Sequence, residues 1–392
     1  MQDQTAAAPP LAVRIRSVDL LRGMVIILMA LDHVRDFWGP SPGLPEDLES
    51  PSLELFLTRW VTHFCAPVFV FLSGTSAWLY ARNTHADKFA LSRFLAARGL
   101  WLIVVELTIV NFSWTLYMAG FVFVQVLWAI GWSMIFLALL VHLPLRAIAA
   151  IGFLLVFGHN LFDGINPDDL GAFGPFWAFL HVSYGWPIAD FFYFWIAYPV
   201  IPWIGVMALG YAFGAVLAAA ETDWRKTAFR AGLAATVLFL LLRLLHGYGD
   251  PNAWDADGGA VRTLIEFLDV EKYPPSLQFL LVTLGPALML MPLLENWRTR
   301  VSEWISVFGR VPFFFYVIHM PVIHLGAIIW SQFMFGKIEW QMQGPDAYPP
   351  AYEQNLWLVW GVWIAVVVLL YPACKWYAGL KRRRKDWWLS YL

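Results

Sequence analysis

Charge is scarce in this sequence. Only 14% of its 392 residues are Asp, Glu, Lys or Arg, against 60% in the apolar set, whereas about a quarter of an ordinary soluble domain is charged. Apolar runs of 18 or more residues recur too often for a large soluble helical enzyme, so water is not the chain's main solvent. Cysteine is almost missing: Cys65 and Cys374 are the two present, too few for a disulfide framework. The spans assigned below put them near opposite faces of a bilayer, out of bridging range. A basic excess is missing as well. With 26 basic and 28 acidic residues, the chain lacks the positive surface that a nucleic-acid partner demands. The first dozen residues, MQDQTAAAPPLA, have no basic n-region, and no cleavage site follows the first apolar run, so no removable leader is expected. No internal repeat or low-complexity tract occurs, and residues 1–392 read as one domain.

What the chain does have is long apolar segments and aromatic residues, including 23 Trp, which favour the two water interfaces of a bilayer. A helix needs about 20 apolar residues to cross. Ten stretches qualify, near 17–38, 53–80, 91–113, 119–142, 144–161, 191–219, 226–248, 275–294, 306–332 and 355–378, the fifth being short enough to be tilted or re-entrant. The predicted fold is an all-α polytopic bundle of about ten transmembrane helices. Basic residues test that count, because they collect in cytoplasmic loops. With both termini cytoplasmic, six of the 26 fall outside: Arg35, Arg59, Arg243, Arg262, Lys272 and Lys337. One span more or fewer would break this alternation. The expected location is a bacterial inner membrane, with the long loops 162–190, 249–274 and 333–354 external.

Ionisable groups inside a membrane are costly and ask for a partner or a task. Seven of nine histidines lie at or near the outer ends of the spans: His33, His63, His159, His181, His246, His319 and His324. Asp32, Arg35, Asp36, Arg59, Asp163, Arg243 and Gln278 join them. A single such residue is usually a structural pairing, but the group together predicts a cavity opening outward with its floor near mid-membrane.

Helix 1, SVDLLRGMVIILMALDHVRDF, is the most informative segment. Arg22 and His33 are eleven residues apart, close to three turns, so they share a face about 16 Å apart along the axis. That spacing suits a donor entering from the cytoplasm, its anionic head at Arg22 and its reactive end at His33. Asp36, one turn beyond His33, is placed to orient the ring, while Asp32 is expected to turn towards Arg59 or Arg243. Helix 2 carries His63 at the depth of His33 and the small run SGTSA, which admits a close helix neighbour; a homodimer is left open by it. Helix 9 brings His319 to mid-membrane with Tyr316 on the same face, Pro321 to kink it, and His324 beyond. Glu106 in helix 3 has no local partner and reads as a second base, a ligand or a buried neutral acid.

The pattern Ser17-Val18-Asp19-x-x-Arg22-Gly23 followed by Asp32-His33, the run Pro67-Val68-Phe69-Val70-Phe71-Leu72-Ser73-Gly74, and Gly309-Arg310-Val311-Pro312-Phe313-Phe314-Phe315-Tyr316 with His319 resemble the catalytic-domain-like family of heparan-α-glucosaminide N-acetyltransferase. The chain is similar, more distantly, to the membrane acyltransferases whose helix 1 carries an Arg and a His eleven residues apart. The resemblance implies transfer of an acyl group, typically acetyl, from cytoplasmic acyl-CoA to an acceptor such as a sugar on the far side, with no permanently bound cofactor. Arg22, Ser73 and Arg310 would face the donor. His33 would be catalytic, with Asp32 or Asp36 holding it and His63 and His319 binding the acceptor or stabilising the oxyanion. Arg35, Arg59, Glu106, His159, Arg243, His246, Gln278, Tyr316 and His324 complete the expected substrate-binding set, and no metal is called for. The lysosomal member carries its histidine between helices 1 and 2, where this chain has none in residues 39–62. A proton-coupled transporter or flippase uses similar groups and is the rival reading; paired histidines holding haem are a third.

Overall fold

The computed structural model describes residues 15–39, 52–116, 120–189, 192–219, 222–338, 349, 352, 355–384, 386 and 389. The expected absence of a leader in residues 1–12, Lys385 and most of the loop 333–354 lie outside these. Thirteen helices and three strands follow one another as α1 (Arg16–Trp38), α2 (Leu53–Thr84), α3 (Lys88–Thr115), β1 (Phe121–Val124), α4 (Val126–Leu140), α5 (Leu145–Phe162), α6 (Gly174–Leu180), β2 (Tyr184–Ala189), β3 (Phe192–Ile196), α7 (Val200–Ala218), α8 (Trp224–Leu244), α9 (Ala260–Leu268), α10 (Leu277–Asn296), α11 (Arg300–Arg310), α12 (Pro312–Phe335) and α13 (Leu356–Arg383). Eight of them are long and apolar enough to cross a membrane. With the more polar α1 and the shorter α4, they occupy the ten predicted stretches. The chain is a multi-pass membrane protein.

α1 is the hub, packed against α2, α10, α11, α12 and α13. Its neighbours anchor on its backbone: Trp363 Nε1 donates to Ile27 O at 2.8 Å, and Trp38 Nε1 of α1 itself donates to Ile323 O at 3.1 Å. Lipid tails are as apolar as the helices, so association relies on close packing rather than on expelling water. Glycines therefore meet glycines or bare backbone at the helix contacts. Gly99 faces Gly131 between α3 and α4, and Gly232 faces Gly285 between α8 and α10. Gly74, in the small run of α2, lies against the Met207 carbonyl of α7, where a side chain would collide with backbone. Beside it, Thr75 Oγ1 reaches Gly210 O at 3.0 Å.

Three predicted spans differ in detail. The fourth does not begin at 119: β1 takes up its start, and the 15-residue α4 is about 22 Å long, shorter than the hydrocarbon core. The sixth begins at Val200 because 192–196, rich in aromatic residues, forms β3, and Pro199 caps the helix. The ninth is divided, since Pro312 pushes Val311 out of the helical region to φ −135° and ψ 46°, separating α11 from α12. The sheet, order β1-β3-β2 with β1 parallel and β2 antiparallel to β3, was not anticipated. Non-helical backbone near a membrane must pair within the protein, and this sheet does so while covering one end of the bundle. That end, called the loop end here, also holds segments 163–183 and 245–276. The opposite, termini end is where α1 begins and α13 finishes.

Candidate active site

Two cavities lie one above the other along α1. The one at the termini end, about 280 Å³, is lined by Arg22, Ser73, Ser76, Arg98, Arg310 and Lys381 among apolar side chains. The other, at the loop end and about 670 Å³, is lined by Asp32, His33, Arg35, Asp36, Arg59 and Lys272, with Trp114, Phe123, Trp195, Tyr198 and Tyr273 as aromatic walls. Met29, Phe69, Val126 and Tyr316 line both, and so form the septum between them. Because α1 runs past both chambers, the eleven-residue spacing puts Arg22 in one and His33 in the other.

Arg22 is fixed by Ser76 Oγ, which accepts from Nη2 at 2.6 Å, and by Gly309 O at 3.4 Å, with Asp19 3.9 Å away. Four cationic side chains thus converge in a small, largely apolar chamber, an arrangement matched to phosphate groups. Arg98 and Lys381 were not singled out from sequence. Their basic positions at the termini end were the available signal, but only the packing of α3 and α13 against α1 and α12 brings them to Arg22.

In the larger chamber charges alternate. Arg35 Nη2 donates to Asp36 Oδ1 at 2.7 Å and to Asp32 Oδ1 at 3.2 Å; His33 Nδ1 stands 3.8 Å from Asp36 Oδ2, and Lys272 Nζ 3.9 Å from Asp32 Oδ2. Asp36 thus faces His33 as an electrostatic neighbour beyond hydrogen-bond range. Asp32 turns to Arg35 and Lys272, not towards Arg243. Burial by itself would lower the Lys272 ammonium, but Tyr273 and Asp32 outweigh it and hold its pKa above 10.5. Burial, with Tyr273 alongside, keeps the Tyr198 phenol well above 10.0. His319 packs on His33 with ring centroids 5.2 Å apart. Its Nδ1 lies 2.7 Å from Tyr316 O and 3.1 Å from Phe315 O; two carbonyls require an N–H there, leaving Nε2 as the acceptor nitrogen. Tyr316 belongs to the septum.

The remaining expected residues sit elsewhere. His63 is buried behind the chamber wall, its ring 5.5 Å from Phe279. Glu106 is not without a partner. It opens a turn of π-helix in α3 that aims its carboxylate at the start of α4, where Gln125 N–H donates to Oε1 at 2.6 Å, so it caps that helix and meets its positive end. Arg243 is buried beneath loop 245–276, giving hydrogen bonds to Asn252 O, Glu266 O, Phe267 O and Asp269 O at 2.6–3.0 Å, with Asp250 3.6 Å away. His159 is wedged between Leu155, Val156 and Pro275 carbonyls. His324 donates to Ser113 O at 2.9 Å and stacks on Phe37; Gln278 donates to Tyr248 O at 3.2 Å; His246 stacks on Trp254. These residues hold helix ends and loops in place, and none lines either chamber. Among the described residues no group of three or more His, Cys, Asp or Glu is arranged to hold a metal ion.

No curated protein matches the chain. The family model described as heparan-alpha-glucosaminide N-acetyltransferase, catalytic, matches residues 14–244, which takes in α1 to α8 and, with them, Arg22, Asp32, His33 and Arg98, while the chain from α9 onward contributes Lys272, Arg310, His319 and Lys381. With more than half of its length matched, including the helix that carries Arg22 and His33, the chain belongs to the catalytic family of heparan-alpha-glucosaminide N-acetyltransferase.

Proposed function

We propose that the protein transfers an acyl group, acetyl being the first candidate, from acyl-CoA in the termini-end chamber to an acceptor in the loop-end chamber. The observation that carries this reading is the pair of chambers joined at one septum, basic on one side of it and holding His33 on the other. Lys and Arg collect at the termini end, so that end is cytoplasmic by the positive-inside rule, in a bacterial inner membrane, and the donor arrives from there.

Arg22, Arg98, Arg310 and Lys381 hold the nucleotide phosphates. The thioester arm then reaches past Met29, Phe69, Val126 and Tyr316 to His33. There the imidazole takes a proton from the acceptor amine or hydroxyl as that atom attacks the thioester carbon. The carbon–sulfur bond breaks, the acyl group stays on the acceptor, and the proton passes from the imidazolium to the departing thiolate, giving free CoA. Asp36 favours the transient imidazolium, and the neutral His319 ring packs against its face. The test is incubation of the purified chain with radiolabelled acetyl-CoA and glucosamine. Release of CoA with label on the sugar is expected; an intact thioester, as a transporter would leave it, overturns the reading.

A further inference from the structure

The loop-end chamber holds more positive charge than its carboxylates neutralise. Among the residues lining it, Arg35, Arg59 and Lys272 face Asp32 and Asp36. Arg35 already bonds both carboxylates. Lys272 is beyond hydrogen-bond range of Asp32, and it and Arg59 lie within electrostatic reach of each other and of the buried His63 ring. Two like charges brought together at the end of a low-dielectric bundle are unfavourable unless an anion joins them.

The arm that delivers Lys272 is built rather than loose. Arg243 ties down four carbonyls between 252 and 269. Asp250 Oδ2 accepts the Glu271 N–H at 2.9 Å and the Ser276 hydroxyl at 2.6 Å, clamping both sides of Lys272. Ser276 in turn caps α10 through Phe279 N–H, and Tyr273 places its ring 5.0 Å from Nζ. A surface lysine without a task does not need four buried carbonyls and a carboxylate to aim it. This arm follows residue 244, where the family match ends, so the match does not account for it.

We propose that Lys272 and Arg59 form an anion subsite, and that the acceptor bears a carboxylate, sulfate or phosphate group apart from the atom that attacks the thioester. The proposal rests on the acyl-transfer reading above and adds the chemical class of its acceptor. The guanidinium supplies paired donors to an oxyanion and the ammonium a point charge, while Trp195 and Tyr273 flank the space left for the rest of the acceptor.

The test uses the full chain in lipid nanodiscs with acetyl-CoA and three probes, glucosamine, glucosamine 6-sulfate and glucosamine 6-phosphate. The expected ratio of kcat/KM for an anionic probe over glucosamine is about tenfold or more, and it collapses towards one in Lys272→Gln and in Arg59→Gln, with Lys272→Arg restoring most of it. Sulfate against phosphate distinguishes the two anion classes. A wild-type ratio of one or less, or a ratio that survives both substitutions, overturns the subsite. Calorimetric binding of glucosamine 6-sulfate without acetyl-CoA separates this failure from that of the reaction. Lys272-dependent binding without turnover supports the subsite and counts against acyl transfer; turnover without such binding does the reverse.

Discussion

The rings of His33 on α1 and His319 on α12 lie 5.2 Å apart, centroid to centroid, and the second is tautomerically fixed by the carbonyls of its own helix. Of the two, His33 lines the chamber and His319 backs it. The nitrogen that meets the acceptor is therefore on His33. His33→Ala is expected to lower acetyl transfer by about 10²–10⁴-fold, with an unchanged elution profile in detergent. Activity within a few-fold of wild type would remove His33 from the mechanism.

Donor recognition makes a separate prediction. Arg22 is held by Ser76 at 2.6 Å and directs the rest of its guanidinium at the termini-end chamber. Hydrogen bonds to charged groups contribute about 1.5–3 kcal/mol, so Arg22→Gln should raise KM for acetyl-CoA about 10- to 100-fold. S-acetylpantetheine, which lacks the nucleotide phosphates, should be used equally by both proteins. A loss as large with the truncated donor would mean that Arg22 acts on the fold and not on phosphate.

Arg243 gives the structural counterpart. Its charge is surrounded by carbonyls and by Asp250, whose side chain is 1% exposed. Arg243→Met leaves that carboxylate and four acceptors unsatisfied, a change of the kind that costs about 3–5 kcal/mol. The expected result is a large drop in thermal unfolding temperature in detergent. An unchanged melting curve with a raised KM for the acceptor would return Arg243 to the substrate-binding role that its position in the sequence suggested.

Ten helical stretches and the Arg22–His33 stripe were legible because both depend on local periodicity. Apolar length marks a span, and eleven residues on one helix bring two side chains to one face whatever the neighbours do. Lys272 was not legible. Its arrival beside Asp32 depends on Arg243 and Asp250 folding a 30-residue segment back on itself, and no pattern in that segment announces it. The strands were read as helix because FYFWI and FVFV are apolar throughout, and an apolar run alone does not distinguish a strand from a buried helix. Glu106 looked unpartnered because its partners are amides of another helix, reached only through a π-turn. Histidine type was likewise a poor guide. His159 and His324 carry the same imidazole as His33, but carbonyls within hydrogen-bond range occupy their nitrogens, and only the tertiary structure reveals that.

Acidity should act on the loop end through Asp163. Its carboxylate Oδ1 lies 3.0 Å from His181 Nε2, and Asn160 Nδ2 donates to Oδ2 at 2.8 Å. Burial alone would raise its pKa, but the hydrogen bonds from His181 and Asn160 prevail and hold it below 3.8. A carboxyl whose pKa is depressed on folding stabilises the folded state above its unfolded pKa, and that contribution disappears as pH falls through the folded value. Asp163→Asn, which keeps an acceptor for His181 but no charge, should therefore melt below wild type at neutral pH, with the gap closing below about pH 3. The comparison needs only melting curves across a pH series in one detergent. A gap that persists undiminished at the acid end would assign Asp163's contribution to shape and hydrogen bonding and leave its charge no part in holding segment 163–183 against α5.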